Sequence, residues 1–287
     1  MANEDEKVWL ITGCSTGFGR ELAKQLLEKG ERVVVTARDA GKVRDLVEIN
    51  EENALAVALD VTDVLQVKAA VEKAEARFGR IDVLVNNAGF GYFGSIEESE
   101  ESDVRAMFEA NFWGLSAMTR AVLPLMRKRR SGTIVNISSI GGFVGNPGVG
   151  YYNATKFAVN GFSEALKKEV EPLGIKVLLV QPSGFRTDWA GRSANDAPAT
   201  ISDYSETADK NKETIRGYSG KQDGDPTRAA KAIIEAVERK DSLFNLLLGK
   251  AALRGARMKL ENLQKDFDAN AEITEAADFP ETEAARK

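Results

Sequence analysis

The stretch Val8-Trp9-Leu10-Ile11-Thr12-Gly13-Cys14-Ser15-Thr16-Gly17-Phe18-Gly19 decides how this chain is read. Val8–Thr12 is a short apolar run of the kind that forms a buried strand. Three closely spaced glycines follow, and then an amphipathic run from Phe18 to Lys29 that Gly30 ends as a helix cap would. A strand that feeds a glycine-rich turn and then a helix start can bend sharply. It also turns unpaired N–H groups and the positive end of a helix dipole toward a phosphate. A plain strand-to-helix turn uses glycines too. Placement after the first strand favours a pyrophosphate site built from Gly13, Ser15, Thr16, Gly17, Phe18 and Gly19.

Outward from that turn, short β-branched runs alternate with helical periodicity. Strands are predicted at Val33–Ala37, Ala54–Leu59, Val83–Asn86, Thr133–Ser138, Lys176–Gln181 and Leu243–Leu248. Helices are predicted at Ala40–Glu48, Thr62–Phe78, Ser102–Lys128, Tyr151–Glu171, Pro226–Arg239 and Ala251–Asp268. This alternation implies an α/β fold: a single doubly wound domain over 1–287, its mostly parallel sheet of about seven strands covered by helices on both faces. The core is expected over 8–250. The polar segment 183–224 reads as a mobile excursion holding a short helix, a plausible lid. Beyond it lie the C-terminal helix and tail, 251–287, with acidic Asn270–Lys287 on the surface or frayed.

Composition narrows the chemistry. The 287 residues are 43% apolar and 29% charged, ordinary for a globular chain. A net charge of −5 argues against a general nucleic-acid binder. The single cysteine, Cys14, excludes an intrachain disulfide and fits a reducing, cytoplasmic setting. No histidine is present, which excludes Ser-His-Asp triads and histidine zinc sites, and no metal site is expected. The N-terminus is charged and lacks a signal core, and no apolar run is long enough to span a membrane.

Acid–base work near neutral pH must then come from Tyr, Lys, Asp, Glu or Cys. Tyr152 and Lys156 stand at i and i+4, one face of a helix. A phenol has a pKa near 10, and a nearby cation favours the phenolate. Lowering it by about 3 units takes about 4 kcal/mol, which an ammonium plus an oxidised nicotinamide could supply. Tyr152 would then exchange a proton with a substrate oxygen while hydride moves. Tyr151 has Thr155 at i+4, not a lysine, and reads as a wall or core aromatic. Ser139 and Ser138 both lie at the carboxyl end of a strand, where ligands of doubly wound sheets sit. Either could hydrogen-bond the reacting oxygen or simply cap the strand.

At the end of the second strand the chain reads Thr36-Ala37-Arg38-Asp39. An acid at this place holds a ribose 2′-OH, and a basic residue accommodates a 2′-phosphate. Arg38 therefore favours NADP over NAD, although Arg38 could be a solvated residue and Asp39 could reach the ribose or cap the next helix.

Together these residues resemble the short-chain dehydrogenase/reductase family, over roughly 8–250. The motifs that carry the likeness are Thr12–Gly19, Asp60-Val61, Asn86-Asn87-Ala88-Gly89, Asn111, and Ser139 with Tyr152 and Lys156. The resemblance implies a Rossmann fold and a catalytic tetrad of Asn111, Ser139, Tyr152 and Lys156, and its spacing favours Ser139 over Ser138. It places Asp60 and Val61 by the adenine and Asn87, Ala88 and Gly89 by the adenosine ribose. Lys156 would bond the nicotinamide ribose, and Asn111 would hold a helix bend and a water. Pro182, Gly184 and Thr187 match a PGxxxT segment at the carboxamide, with Ser183 replacing its usual glycine. The phrases Ile11–Arg20 and Gln181–Trp189 look most like the 17β-hydroxysteroid dehydrogenase-like and retinol dehydrogenase-like branch.

The expected activity is thus NADP(H)-dependent interconversion of a carbonyl and an alcohol. Phe90, Tyr92, Phe93, Phe143, Val149, Phe185 and Trp189 are candidate walls of an apolar pocket, and Arg186 and Arg192 candidate holders of an anionic group. Met107, Phe108, Phe112, Trp113, Leu115 and Met118 suit a core or an interface, and the family resemblance implies a homodimer or homotetramer. Arg127–Arg130 reads as a solvated cap on a helix C-terminus. Two other functions stay open: a nucleotide sensor without turnover, and a 3-ketoacyl-type reductase.

Overall fold

Alternate side chains of each central strand point to opposite faces, and here both faces are dry. In the computed structural model, which describes residues 6–241 and 243–279, the strands are β1 (Val8–Ile11), β2 (Arg32–Ala37), β3 (Ala54–Ala58), β4 (Val83–Asn86), β5 (Gly91–Phe93), β6 (Gly132–Ile137), β7 (Ile175–Pro182), β8 (Ala194–Asp196) and β9 (Asn245–Leu248). The helices are α1 (Gly17–Glu28), α2 (Arg44–Val47), α3 (Val64–Phe78), α4 (Glu101–Phe108), α5 (Leu115–Arg129), α6 (Gly150–Val170), α7 (Lys210–Gly217), α8 (Pro226–Glu238), α9 (Lys250–Ala269) and α10 (Ala271–Glu275). Residues 1–5 and 280–287 lie outside the described residues, so the expected N-terminal reading and the end of the acidic tail do as well.

The main sheet has the order β3-β2-β1-β4-β6-β7-β9, with every pairing parallel. Trp9, Ile11, Val33, Val35 and Val85 face α1 and α8, where Leu22, Leu26 and Ile233 meet them. Leu10, Val34, Leu84 and Ile134 face the other layer, α3, α5 and α6. Full burial of each such side chain contributes about 1.5–3 kcal/mol, which is why these runs are nearly continuous in apolar residues. The strand order reverses between β1 and β4, and a crevice opens beyond their carboxyl ends. The expected single α/β domain is what forms.

Four details differ from the sequence expectation. Ala40–Glu48 is not one helix: a 3₁₀ turn, Ala40–Val43, precedes the short α2. The helix expected over Ser102–Lys128 is interrupted by a π-helical turn, Glu109–Gly114, where Gly114 lies so close to the 61 position that a Cβ would stand 2.5 Å from Val61 Cγ2. β5 and β8 pair in a second, two-stranded sheet that the sequence did not announce. Their pairing folds the 183–224 excursion back over the start of α6. The excursion is fastened there by Glu98, which accepts from Thr200 N (2.6 Å) and Ile201 N (2.8 Å). Ser95 Oγ donates to the same carboxylate at 2.7 Å, and these bonds hold its pKa down to about 2.

Candidate active site

The glycine turn is stapled to the loop after β4. Thr12 Oγ1 accepts from Asn87 N and Ala88 N, each at 2.9 Å, and Asn87 Nδ2 donates to Thr12 O (2.9 Å) and Gly13 O (3.0 Å). Gly13 and Gly17 have φ of 72° and 62°, the left-handed region that favours glycine. A Cβ on Gly19 would stand 2.5 Å from both Asn87 Nδ2 and Gly13 O. The chain thus exposes bare backbone at the start of α1, whose N-cap Thr16 makes no side-chain cap bond.

A cavity of about 1000 Å³ lies against this turn. Gly13, Ser15, Thr16, Gly17 and Phe18 line one end, with Arg38, Asp60 and Val61; Asn87, Ala88 and Gly89 form its floor; Ser139, Tyr152, Lys156, Pro182, Gly184 and Thr187 line the other end. Of the expected catalytic and cofactor-binding residues only Gly19 and Asn111 do not touch it. Both act from behind. Asn111, 1% exposed, accepts from Phe90 N and donates to Phe90 O, each at 2.9 Å, and donates to Thr155 Oγ1 at 3.3 Å. Its side chain thus ties the π-helical turn, the loop after β4 and α6 together.

At the rim beside the glycine turn, Arg38 is exposed and makes no ion pair with a described residue. Asp39 turns away and accepts from Gly41 N at 2.9 Å, so it caps the next turn. Asp60 Oδ1 accepts from Thr62 N (3.0 Å) and Thr62 Oγ1 (2.7 Å), which fixes its carboxylate on the wall.

At the other end α6 brings Tyr152 and Lys156 beside the carboxyl end of β6. Ser139 lies beside the Tyr152 phenol, close enough to act on its pKa, and its Oγ accepts from Gly141 N at 2.9 Å. Ser138 is spent on packing: its hydroxyl donates to Asn160 Oδ1 at 2.6 Å. Lys156 Nζ donates to Ile137 O at 2.9 Å and stands 5.8 Å from the centre of the Tyr152 ring. Burial moves both groups toward their neutral forms. It pushes the Tyr152 phenol above its ordinary value, against a smaller opposing effect of the neighbouring Ser139, and brings the Lys156 amine down to about 8. The lowering of Tyr152 expected from Lys156 is therefore not supplied by the protein's own groups, which keep the phenol protonated. Cys14 is buried, its thiol pushed up to about 12, and it is no nucleophile.

The pocket walls need correction. Phe90, Val149, Phe185 and Trp189 line the cavity. Tyr92 and Phe93 do not, being 2% and 0% exposed behind it, and Phe143 is also off the wall. The sequence reading missed Ile140, in the turn after β6, and Ala106, Ala110, Ile215 and Tyr218, which come from α4, α7 and their flanks. The Trp189 ring lies 4.8 Å from that of Tyr152. Arg186 is off the main cavity, its Nε donating to Gln222 O at 2.7 Å, and Arg192 on the wall is paired with Asp188. Ser183, in the glycine's place, donates to Leu248 O at 3.3 Å and is accommodated because Gly249 stands opposite. Nor is the basic run at the end of α5 merely solvated: Arg130 Nη2 donates to Pro172 O at 2.7 Å and Arg129 to Ile81 O. Among the described residues no cluster could hold a metal and no helix is long and apolar enough to cross a membrane.

A nicotinamide dinucleotide fits these residues: bare glycine backbone at the phosphate end, an exposed cation at one rim, and two neighbouring hydroxyls beside a buried amine at the other. Residues 7–198 match the short chain dehydrogenase family model. The chain is 38% identical over 272 residues to the oxidoreductase BOA17 of Botryotinia fuckeliana, covering 94% of this chain and 99% of that one. It is 41% identical over 248 residues to a 3-ketodihydrosphingosine reductase of Bacteroides thetaiotaomicron, covering 85% and 88%. A short-chain dehydrogenase structure from Streptomyces avermitilis superposes with a TM-score of 0.91 at 38% identity, covering 96% of this chain and all of that one. A Burkholderia phymatum homologue in complex with NAD has a TM-score of 0.80 at 28% identity, covering 93% and 97%. ElxO with NADP bound has 0.72 at 29%, covering 87% and 99%. The chain belongs to the short chain dehydrogenase family of oxidoreductases, whose members act on CH–OH groups with a nicotinamide cofactor.

Proposed function

We propose that this protein reduces a hydrophobic ketone or aldehyde to an alcohol with NADPH, Tyr152 giving the proton. The observation that carries this reading is the Tyr152 hydroxyl, kept protonated by burial, set beside Ser139 on the wall of the cavity that the glycine turn also lines. Gly13, Ser15, Thr16, Gly17 and Phe18 hold the pyrophosphate, Arg38 the 2′-phosphate, and Asp60 and Val61 the adenine. Asn87, Ala88 and Gly89 flank the ribose, and Lys156, Pro182, Gly184 and Thr187 take the nicotinamide side. A nicotinamide bound there supplies the hydride.

The protein's own groups do the rest. Ser139 hydrogen-bonds the substrate oxygen and orients it, as a preorganised dipole at the developing charge. Tyr152 donates its phenolic proton to that oxygen. The Lys156 ammonium stabilises the phenolate left behind. Asn111 positions the frame rather than touching the reactants. Trp189 and the 183–224 excursion cover Tyr152 and exclude water.

Phe90, Ala106, Ile140, Val149, Ile215 and Trp189 favour an apolar substrate. The relative named as a 3-ketodihydrosphingosine reductase supports a long-chain 3-keto compound as one arm of a substrate screen, the alternative to a ring ketone of the hydroxysteroid and retinoid branch. We further propose that the whole chain works as one cytoplasmic unit and pairs as a homodimer or homotetramer. The exposed Trp113 and Phe157 give the helices around α5 and α6 an apolar outer face. The test is NADPH and NADH consumption at 340 nm against ketones, aldehydes, steroids and long-chain 3-keto esters. Turnover with NADPH preferred supports the reading. NADPH binding without turnover on any carbonyl, or on any alcohol in the reverse direction with NADP⁺, would instead favour a sensor.

A further inference from the structure

The C-terminal helix α9 lies outside the site and carries a surface that no described residue covers. Its first half rests on the body: Ala252 and Ala256 are buried, and Gly255 faces Ile140 and Val144, just after Ser139. The rest projects. Leu253, Leu260 and Phe267, 43%, 58% and 64% exposed, repeat every seven residues and form a stripe about 21 Å long. Leu263 lies beside that stripe and is half-buried.

Charge divides the helix. From Lys250 to Lys259 the charged residues are Lys250, Arg254, Arg257 and Lys259, with no acid among them. From Glu261 to Glu275 they are Glu261, Asp266, Asp268, Glu272 and Glu275 against one cation, Lys265. None of these forms an ion pair with a described residue.

We propose that α9 pairs antiparallel with α9 of a second copy of this chain, about a two-fold axis near Leu260. In that register Leu253 meets Phe267 of the second copy, Arg254 meets Asp266, and Lys259 meets Glu261. The basic half of each helix lies on the acidic half of the other, and the apolar stripe is covered by itself. A parallel pair would set basic on basic and acid on acid, so charge selects the antiparallel one. An anionic lipid surface would attract one half and repel the other, which disfavours a membrane as the occupant. The interface is isologous, as a two-fold contact requires. It also buttresses the Ile140–Val144 segment that follows Ser139.

The experiment uses the full chain. One variant reverses the basic half (Arg254→Glu, Arg257→Glu and Lys259→Glu), and another the acidic half (Glu261→Lys, Asp266→Lys and Asp268→Lys). Light scattering should show each alone at half the particle mass of the wild type, and an equimolar mixture of the two restored to full mass. Retained circular dichroism confirms that both fold. Leu260→Cys should cross-link to its own copy under mild oxidation, with buried Cys14 silent. Leu253→Cys should cross-link to Phe267→Cys chains and not to itself. Full mass in each half-reversed variant overturns the proposal. So does a monomeric wild type, or one that pellets with phosphatidylserine vesicles and yields no Leu260→Cys cross-link.

Discussion

Lys156 is the charged group that the fold holds at greatest cost, and replacing it by methionine should make that cost measurable. Burial takes its amine from the ordinary 10.5 down to about 8. A separation of that size corresponds to about 3 kcal/mol between the charged amine in water and in the fold. Below about pH 8 the amine is charged in both states and the penalty is constant. Between about 8 and 10.5 the unfolded chain keeps a proton that the folded chain has lost, so wild-type stability rises with pH across that window. Lys156→Met has no such titration. The difference in unfolding free energy, wild type minus variant, should therefore climb by about 3 kcal/mol from about pH 7 to about pH 11. Taking the difference cancels the other titrating groups, and the lost hydrogen bond to Ile137 O adds only a constant. Urea unfolding without nucleotide, at several pH values, reads it directly. A difference that stays flat across that range would refute the claim that burial, rather than pairing, sets the state of this amine.

Three further outcomes follow from single residues. Gly19→Ala should destabilise the fold by about 1–3 kcal/mol and abolish NADPH binding, because its Cβ meets backbone and Asn87; urea unfolding and a fluorescence titration check both. Arg38→Ala should weaken NADPH binding by about 1–3 kcal/mol and leave NADH binding unchanged, read by calorimetry. Equal losses would remove Arg38 from the 2′-phosphate. Glu98→Gln should speed proteolysis within 183–224, since the charged acceptor fastening Thr200 and Ile201 is lost. In the wild type the pKa of that carboxylate is held down to about 2, so its stabilising contribution, full above the ordinary value of 4.5, is lost progressively as pH falls from there to about 2.

The seven strands of the main sheet are legible in sequence because each is a short apolar run bounded by turns, the inner ones buried on both faces and the edge strands β3 and β9 only in part. β5 and β8 are not. Each has three residues, and Gly91–Phe93 finds Ala194–Asp196 across the whole catalytic half of the chain, a pairing that leaves no local periodicity. The π-helical turn is hidden for a related reason: it depends on how closely Gly114 meets Val61 and on the Asn111 bonds to Phe90. Tyr152 with Lys156 can be read from i,i+4 spacing alone. The separation of Ser139 from Ser138 cannot, since it rests on Asn160 taking the Ser138 hydroxyl. Tyr92 and Phe93 look like pocket aromatics next to Phe90. They are drawn inward because Tyr92 OH accepts from Glu100 N and Arg216 stacks over the Phe93 ring at 4.6 Å.

The central claim is that Tyr152 gives the proton. Its most direct test is Tyr152→Phe, with NADPH affinity measured by fluorescence and turnover at 340 nm on whichever carbonyl the wild type reduces. The substitution removes one hydroxyl from a ring packed against Trp189 and leaves the glycine turn and Arg38 untouched. NADPH affinity within about twofold of wild type, with turnover reduced by about 100-fold or more, is the predicted result. A variant that binds NADPH normally and keeps most of its rate would contradict the account.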